Sequence, residues 1–123
     1  MHAELLIHAQ WLLPVDAGNR QLRDHAVAVR DGRILAVLPS AEARRSIEAE
    51  RVLDLPGHAL IPGLVNAHTH AAMTLMRGLA DDLPLMTWLH EYIWPTEKRW
   101  VDPGFVGDGT RLALLEMLRG GVT

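Results

Sequence analysis

The sequence contains no cysteine and no cluster of basic residues. None of its 123 residues is a cysteine. This absence excludes disulfide bonds, thiolate catalysis and every cysteine-based zinc site. Twelve Lys and Arg are scattered among fifteen Asp and Glu, for a formal net charge of −3, and this pattern does not predict binding to nucleic acid or an anionic membrane. Histidine and carboxylate remain as the strong metal ligands, and seven histidines are the main chemical signal.

The N-terminal segment, residues 1–14, lacks the features of a targeting or membrane-spanning sequence. It has neither the basic start nor the small-residue cleavage site of a signal peptide. Polar residues interrupt its apolar ones at His2, Glu4, His8 and Gln10, so the segment is too broken to span a bilayer. The sequence therefore predicts a cytoplasmic protein that does not associate with membranes.

The first part of the chain has the pattern of short strands. Residues 5–13 form a mostly apolar run, and Val27 and Val29 alternate in a second one that leads into Asp31-Gly32. Asp-Gly between two apolar runs predicts a two-residue hairpin, because a type I′ turn needs positive φ at both central residues.

A short helix and a further strand are predicted next. Ser40 has the side chain of an N-cap, and the polar residues after it predict a helix as far as about Glu50. Residues 51–55 then predict a strand that ends at Pro56-Gly57. Together these elements form a small β-rich module with one helix.

The second part begins with a continuous apolar run at residues 59–65. A run that is apolar on both faces is typical of a strand buried in a parallel sheet. Helical spacing then predicts one helix over residues 85–93 that Pro95 ends, and another between the N-cap Asp102 and Gly120. The buried stripe of the second helix is predicted to be Leu112, Leu115 and Leu118.

Val122-Thr123 has the pattern of another strand beginning after this helix. A strand, a helical crossover and a second strand form a βαβ unit, the building block of parallel α/β folds. One such unit cannot close a sheet, so we expect the chain to be a fragment of a larger protein.

The sharpest motif is His68-Thr-His70, which follows the apolar run. Residues i and i+2 of an extended segment point to the same face, so both imidazoles can bind one metal ion. The C-terminal end of a parallel strand is also where α/β barrels place their active sites. The pair alone leaves a second interpretation open, since His-x-His also occurs on ordinary exposed strands and a zinc site needs three or four ligands.

The longer string around these histidines is more specific. Residues 61–70 read Ile-Pro-Gly-Leu-Val-Asn-Ala-His-Thr-His, which resembles the signature of the amidohydrolase superfamily. Residues 73–82, Trp88-Leu89 and residues 93–97 are similar to its deaminase and chlorohydrolase branch. Within that branch, the sequence resembles the 5-methylthioadenosine/S-adenosylhomocysteine deaminase family.

The resemblance implies an α/β fold built from two parts. Residues 1–57 would supply the N-terminal segment of a small β-sandwich domain. Residues 58–123 would begin the catalytic (β/α)₈ TIM barrel, with its first strand, crossover helices and the start of its second strand. Because such a barrel alone takes about 250 residues, the chain is expected to be truncated and to form roughly the first third of a metal-dependent hydrolase.

The resemblance also implies the site residues. His68 and His70 would be the first two zinc ligands, with one metal per chain and iron as the alternative metal. Glu97 matches the glutamate that binds the substrate's ribose hydroxyls, and a carboxylate can accept two hydrogen bonds from a cis-diol. Taken alone, Glu97 beside Lys98 and Arg99 also fits a solvated loop residue. The family's other ligands and its proton-shuttling glutamate lie later in the barrel, so no catalytic acid or base is expected here.

The implied reaction is hydrolytic deamination of the adenine ring of 5-methylthioadenosine, S-adenosylhomocysteine or adenosine, giving the inosine analogue and ammonia. Zinc supplies hydroxide for such chemistry because it lowers the pKa of bound water to about 7. The expected partner is a small nucleoside, and the isolated chain is expected to be inactive. Two alternatives remain: a related amidohydrolase, such as a triazine chlorohydrolase or a guanine or cytosine deaminase, and a non-catalytic fragment.

Overall fold

The computed structural model of the protein describes all residues from 1 to 123 and divides into two compact units, Met1–Pro62 and Gly63–Thr123. The first unit is a four-stranded sheet with one helix, and the second contains helices, irregular connecting segments and one β-bridge. No helix in either unit combines the length and apolar character needed to cross a lipid bilayer.

The sheet of the first unit has the strand order β3-β2-β1-β4. Its strands are β1 (His2–Leu12), β2 (Leu22–Arg30), β3 (Arg33–Pro39) and β4 (Glu48–Leu60). β1 pairs with β2 in the antiparallel and with β4 in the parallel direction. The short helix α1 (Ser40–Ser46) lies in the connection from β3 to β4.

The core of this unit is built largely from small side chains, which let α1 approach the sheet closely. The buried cluster consists of Ala3, Leu6, Ala26, Ala28, Ala43 and Ile47. Four of these residues belong to β1 and β2, whereas Ala43 lies on α1 and Ile47 directly follows it. Burial of this apolar surface is the main force that holds the helix on the sheet.

The predicted hairpin between β2 and β3 is confirmed. Asp31 has φ 52° and Gly32 has φ 67°, so both central residues are in the left-handed region that a type I′ turn requires. Glycine adopts this conformation without a steric cost, and aspartate is among the residues that tolerate it.

The predicted extent of α1 is wrong at both ends. Ser40 is the first helical residue and not the cap, because Pro39 occupies the N-cap position and no side chain caps the helix. The helix ends at Ser46 and does not reach Glu50, because Glu48 already pairs with the start of β1. Strand pairing therefore ends the helix before its local polar pattern does.

β4 is longer than predicted and runs through Pro56 and Gly57. The register of its pairing with β1 shifts between Ala9 and Trp11, so the extra residues of β4 form a bulge. Gly57 has φ 75°, a conformation that suits glycine at a bulge. The Pro-Gly pair bends the strand here and does not end it.

The second unit contains a 3₁₀ helix and a longer helical region followed by one regular helix. These are the 3₁₀ helix (Ala71–Met76), α2 (Leu85–Thr87), a π turn (Trp88–Ile93), α3 (Trp94–Trp100) and α4 (Pro103–Arg119). The β pairing in this unit is a single parallel bridge between Leu64 and Val122.

The run at residues 59–65 is not a buried strand in this structure. Residues 59 and 60 belong to β4, and beyond them only Leu64 pairs with another segment. The side chains are correspondingly open, with Leu64 51% and Val65 84% exposed. Within these 123 residues no second neighbouring strand or covering helix buries them.

The helical region at residues 85–100 continues through Pro95, where the sequence predicted its end. The Trp94 N–H donates to the Leu89 carbonyl, five residues back, which is the bonding pattern of a π helix. Proline lacks an amide hydrogen and clashes with the carbonyl four residues earlier in a regular α-helix. The wider π turn before Pro95 relieves this conflict, so the helix continues as α3.

α4 begins as predicted but buries a different face. Asp102 Oδ1 accepts a hydrogen bond of 2.7 Å from the Phe105 N–H, which confirms the N-cap. The buried residues of the helix are Gly109 and Ala113. The predicted stripe is exposed, at 39% for Leu112, 61% for Leu115 and 61% for Leu118. The 3₁₀ helix packs on the other side of α4, so no part of this chain covers the leucines.

Candidate metal centre

The segment that carries the two histidines starts from the bridge between Leu64 and the C-terminal end of the unit. The Leu64 N–H donates to the Gly121 carbonyl at 2.7 Å, and the Thr123 N–H donates to the Leu64 carbonyl at 3.0 Å. A Cβ atom at Gly63 would lie 2.0 Å from Thr123 Oγ1, so a side chain there would displace Thr123 from the bridge. Glycine at position 63 therefore allows the pairing that leads into the site.

Asn66 restrains the backbone of the segment that follows this bridge. Its Oδ1 accepts a hydrogen bond of 3.1 Å from the His68 N–H, the pattern of an Asx turn. Its Nδ2 lies 3.7 Å from the sulfur of Met117 on α4. The backbone at His68 is thus hydrogen-bonded to a side chain that also contacts α4.

The imidazole rings of His68 and His70 lie together on the surface. Their centroids are 5.3 Å apart and their planes are inclined by 61°. Two imidazoles that each place a nitrogen about 2.0–2.1 Å from one tetrahedral zinc have ring centres roughly 5 Å apart. Both side chains are exposed, and imidazole is a preferred ligand of zinc. The ligand chemistry of the pair and the distance between its ring centres are therefore compatible with two ligands of one zinc ion.

The site is incomplete within these 123 residues. No group of three or more His, Cys, Asp or Glu side chains is placed to hold a metal ion, whereas a catalytic zinc takes at least three protein ligands. Glu97 lies half-buried on α3 and is not brought into a ligand group with the histidines. The structure thus brings together two of the three predicted site residues.

A cavity of about 420 Å³ lies elsewhere in the second unit. It is lined mainly by the loop after the 3₁₀ helix, including Arg77, Leu79, Asp81 and Asp82, and by Met73 and Trp88. The Trp88 indole N–H donates to the Leu79 carbonyl at 3.2 Å, which fixes the loop against the π turn. Neither histidine nor Glu97 lines it. The loop has no regular periodicity, so its sequence gives no pattern that predicts this cavity.

An ion pair anchors the same loop to α4. Arg77 binds Glu116 through two hydrogen bonds, of 3.0 and 2.5 Å, and this guanidinium lowers the pKa of the Glu116 carboxyl. Glu116 immediately precedes Met117, the residue that Asn66 contacts. The C-terminal half of α4 therefore contacts both the cavity loop and the histidine segment.

The family comparison matches the amidohydrolase family over residues 59–123. The chain is 49% identical over 121 residues to a 5-methylthioadenosine/S-adenosylhomocysteine deaminase of Saccharophagus degradans. This match covers 98% of the chain and 27% of the relative. A similar protein from Teredinibacter turnerae is 45% identical over 117 residues. The chain thus spans about a quarter of the length of the curated relatives that it matches.

Solved structures agree with this relationship. A crystal structure of an adenosine deaminase from Xanthomonas campestris with bound zinc matches 99% of this chain and 28% of its own, with 55% identity and a TM-score of 0.95. Atrazine chlorohydrolase from Arthrobacter aurescens, complexed with zinc, matches 97% of this chain and 27% of its own, with 26% identity and a TM-score of 0.84. These matches confirm the predicted α/β class and the resemblance found at residues 61–70. The chain belongs to the amidohydrolase family.

Proposed function

We propose that this chain is the N-terminal part of a zinc-dependent deaminase, here called the parent protein, that acts on the adenine ring of a small nucleoside. The substrates would be 5-methylthioadenosine, S-adenosylhomocysteine or adenosine. The observation that carries the proposal is the His68–His70 pair at zinc spacing. The proposal is supported by the 49% identity of this chain to a 5-methylthioadenosine/S-adenosylhomocysteine deaminase. It is also supported by the 55% identity of this chain to a zinc-bound adenosine deaminase.

The proposal also assigns the two parts of the chain to different domains of the parent protein. Residues 1–57 would belong to a small β-sandwich domain, and residues 58–123 would open the catalytic barrel. The parent protein would act in the cytoplasm on a free nucleoside, without binding nucleic acid or a membrane. It would hold one zinc per chain, and metal analysis would distinguish zinc from iron.

The chain's own residues would contribute binding and orientation. His68 and His70 would each offer one ring nitrogen to the metal from the same exposed segment. Glu97 would accept hydrogen bonds from the ribose hydroxyls and so orient the nucleoside. Zinc would supply the activation of water. The net reaction consumes one water, replaces the amino group at C6 of the adenine ring by oxygen, and releases ammonia.

The test is to replace each histidine in the parent protein. His68→Ala and His70→Ala each remove one ligand, so we expect the metal content to fall from about one zinc per chain to a small fraction of that value, with loss of ammonia release from 5-methylthioadenosine. His2→Ala is the matched control, because His2 is an exposed histidine on β1. Full zinc occupancy in both histidine variants would contradict the ligand assignment.

A second candidate function is hydrolysis of a chlorinated triazine. It is favoured by the likeness to a zinc-complexed atrazine chlorohydrolase. Assaying the parent protein with nucleosides and with atrazine separates the two, since one reaction releases ammonia and the other chloride. A related guanine or cytosine deaminase would act on its own base in the same panel. A parent protein that holds no divalent metal would support the non-catalytic alternative.

A further inference from the structure

The backbone at His68 is linked to the C-terminal end of α4 through consecutive contacts. Leu64 forms the parallel bridge with Val122. Two residues later, Asn66 Nδ2 lies 3.7 Å from the Met117 sulfur, and Asn66 Oδ1 accepts the His68 N–H at 3.1 Å. These contacts connect the histidine segment to α4 at both the backbone and the side-chain level.

Asn66 is the one side chain in this series that contacts both the histidine segment and α4. An amide offers an acceptor oxygen and a donor nitrogen, and here the oxygen faces the ligand segment while the nitrogen faces α4. Residues 65–70 belong to no helix or strand, so no ladder of backbone hydrogen bonds fixes His68. The side-chain bond from Asn66 is therefore the local restraint on the backbone of that histidine.

We propose that Asn66 is a positioning residue for the metal site. It holds the His68 backbone against α4 so that the imidazole stays at the 5.3 Å spacing from that of His70. This inference rests on the proposed function, because the position of the ring matters only if the pair binds a metal ion. Partners that orient a metal ligand typically contribute a factor of about 10 to 100 in metal affinity.

The experiment compares two substitutions at position 66 in the parent protein. Asn66→Ala removes the acceptor, whereas Asn66→Asp keeps an oxygen that can accept the His68 N–H. We expect Asn66→Ala to weaken zinc binding by about tenfold or more in competition with a chromophoric chelator. We also expect it to alter the visible absorption of the Co²⁺-substituted protein. Asn66→Asp keeps the acceptor for the His68 N–H but loses the donor to the Met117 sulfur, so it should recover most of the affinity with only a small change in the Co²⁺ spectrum.

Met117→Leu tests the second contact, since leucine keeps the apolar volume but removes the sulfur. We expect a weaker change in the same Co²⁺ bands, with circular dichroism unchanged. If Asn66→Ala fails to fold, Asn66→Asp and Met117→Leu still test the proposal. It requires near-native zinc binding in Asn66→Asp and an altered Co²⁺ spectrum in Met117→Leu.

Two results would overturn the positioning role while leaving the proposed function intact. One is unchanged zinc affinity and Co²⁺ spectrum in Asn66→Ala. The other is equal loss in Asn66→Ala and Asn66→Asp, which would show that the hydrogen bond from the His68 N–H to Asn66 Oδ1 does not hold the metal site in place. A parent protein that binds no zinc even when unaltered would instead overturn the proposed function and this inference with it.

Discussion

His8 is a buried histidine in the sheet of the first unit. It lies on β1 with only 4% of its surface exposed, and neither ring nitrogen has a hydrogen-bond partner. Burial lowers the pKa of the imidazole, the guanidinium of Arg44 lowers it further, and Asp54 acts in the opposite direction. Arg44 and Asp54 also form an ion pair with each other. The folded protein therefore favours neutral His8.

This environment predicts a loss of stability on mild acidification. The unfolded chain takes up a proton at His8 near its ordinary pKa of about 6.5, whereas the folded chain resists protonation until a lower pH. Stability should thus fall as pH drops below about 6.5, by at most about 1.4 kcal/mol per pH unit from this group. Urea denaturation of the parent protein between about pH 7.5 and 5.5 measures the slope.

The control separates His8 from other groups that titrate in the same range. His8→Leu should flatten the pH dependence, while His2→Leu, at an exposed position of the same strand, should leave it unchanged. An identical slope in the His8 variant and the unaltered protein would show that burial of this imidazole does not control the effect.

Glu97 gives a second prediction at the scale of one residue. Glu97→Ala in the parent protein should raise KM for 5-methylthioadenosine by at least about tenfold, because hydrogen bonds to a carboxylate are worth about 1.5–3 kcal/mol each. Zinc content should not change, since Glu97 is not grouped with the histidines. Steady-state ammonia release and metal analysis check both statements, and Lys98→Ala, at the neighbouring exposed position, is the control.

The proximity of two residues was predictable from the sequence where a local motif fixes their spacing. His68 and His70 follow from an i, i+2 pattern in a specific string, and the structure places their rings side by side. The contact of Asn66 with Met117 joins residues 51 positions apart, so no local pattern reveals it. The burial of His8 was missed for the same reason, since it depends on α1 and β4.

At the scale of elements, α4 and the 3₁₀ helix pack closely against each other in the second unit. A Cβ atom at Gly109 would lie 2.4 Å from the Ala72 carbonyl oxygen, a distance that backbone atoms cannot accommodate without moving. The 3₁₀ helix begins at Ala71, directly after His70. The missing side chain at position 109 therefore influences where the second histidine lies.

Gly109→Ala should consequently disturb both stability and metal binding. We expect a loss of about 1–3 kcal/mol from overpacking and weaker zinc affinity in the parent protein. Gly107→Ala is the matched control two positions away, where a new Cβ meets only the Arg111 side chain at 3.5 Å. That change should stabilise the helix by about 0.5–1 kcal/mol. Thermal unfolding and chelator competition measure both variants, and equal behaviour would contradict the close-packing argument.

Two features set by neighbouring residues were predicted correctly, whereas the Ser40 cap and the elements set by distant pairing were not. The Asp31-Gly32 hairpin and the Asp102 cap depend on neighbouring residues and are confirmed. The length of β4 depends on its parallel partner β1. The path through Pro95 depends on a change of helix type that propensity does not encode.

At the scale of the whole molecule, the chain presents many apolar side chains to solvent. Val65 is 84% exposed, and Leu115 and Leu118 are each 61% exposed. Such side chains, which the sequence marked as buried, expose apolar surface that favours association. The family and the α/β class were predictable because a long motif identifies them, whereas the exposure was not, because burial depends on which neighbours are present.

We therefore expect the purified 123-residue chain to release no ammonia from 5-methylthioadenosine and to self-associate. Its two imidazoles lack further metal ligands, and its apolar helix face is uncovered. An ammonia assay with added zinc and light scattering test the two expectations, with the parent protein as the positive control. If the 123-residue chain turned over substrate at a rate near that of the parent protein, its 123 residues would already contain a complete site.

The π turn at Trp88–Ile93 also bears on how insertions and deletions should be interpreted in this family. A turn with i to i+5 bonds holds one residue more than an α turn, and each residue rotates a helix by about 100°. Deleting one residue from this turn would restore α geometry and rotate Glu97 to a different side of α3. A one-residue deletion in this turn would thus change the direction of the Glu97 carboxylate while leaving Glu97 itself in the sequence.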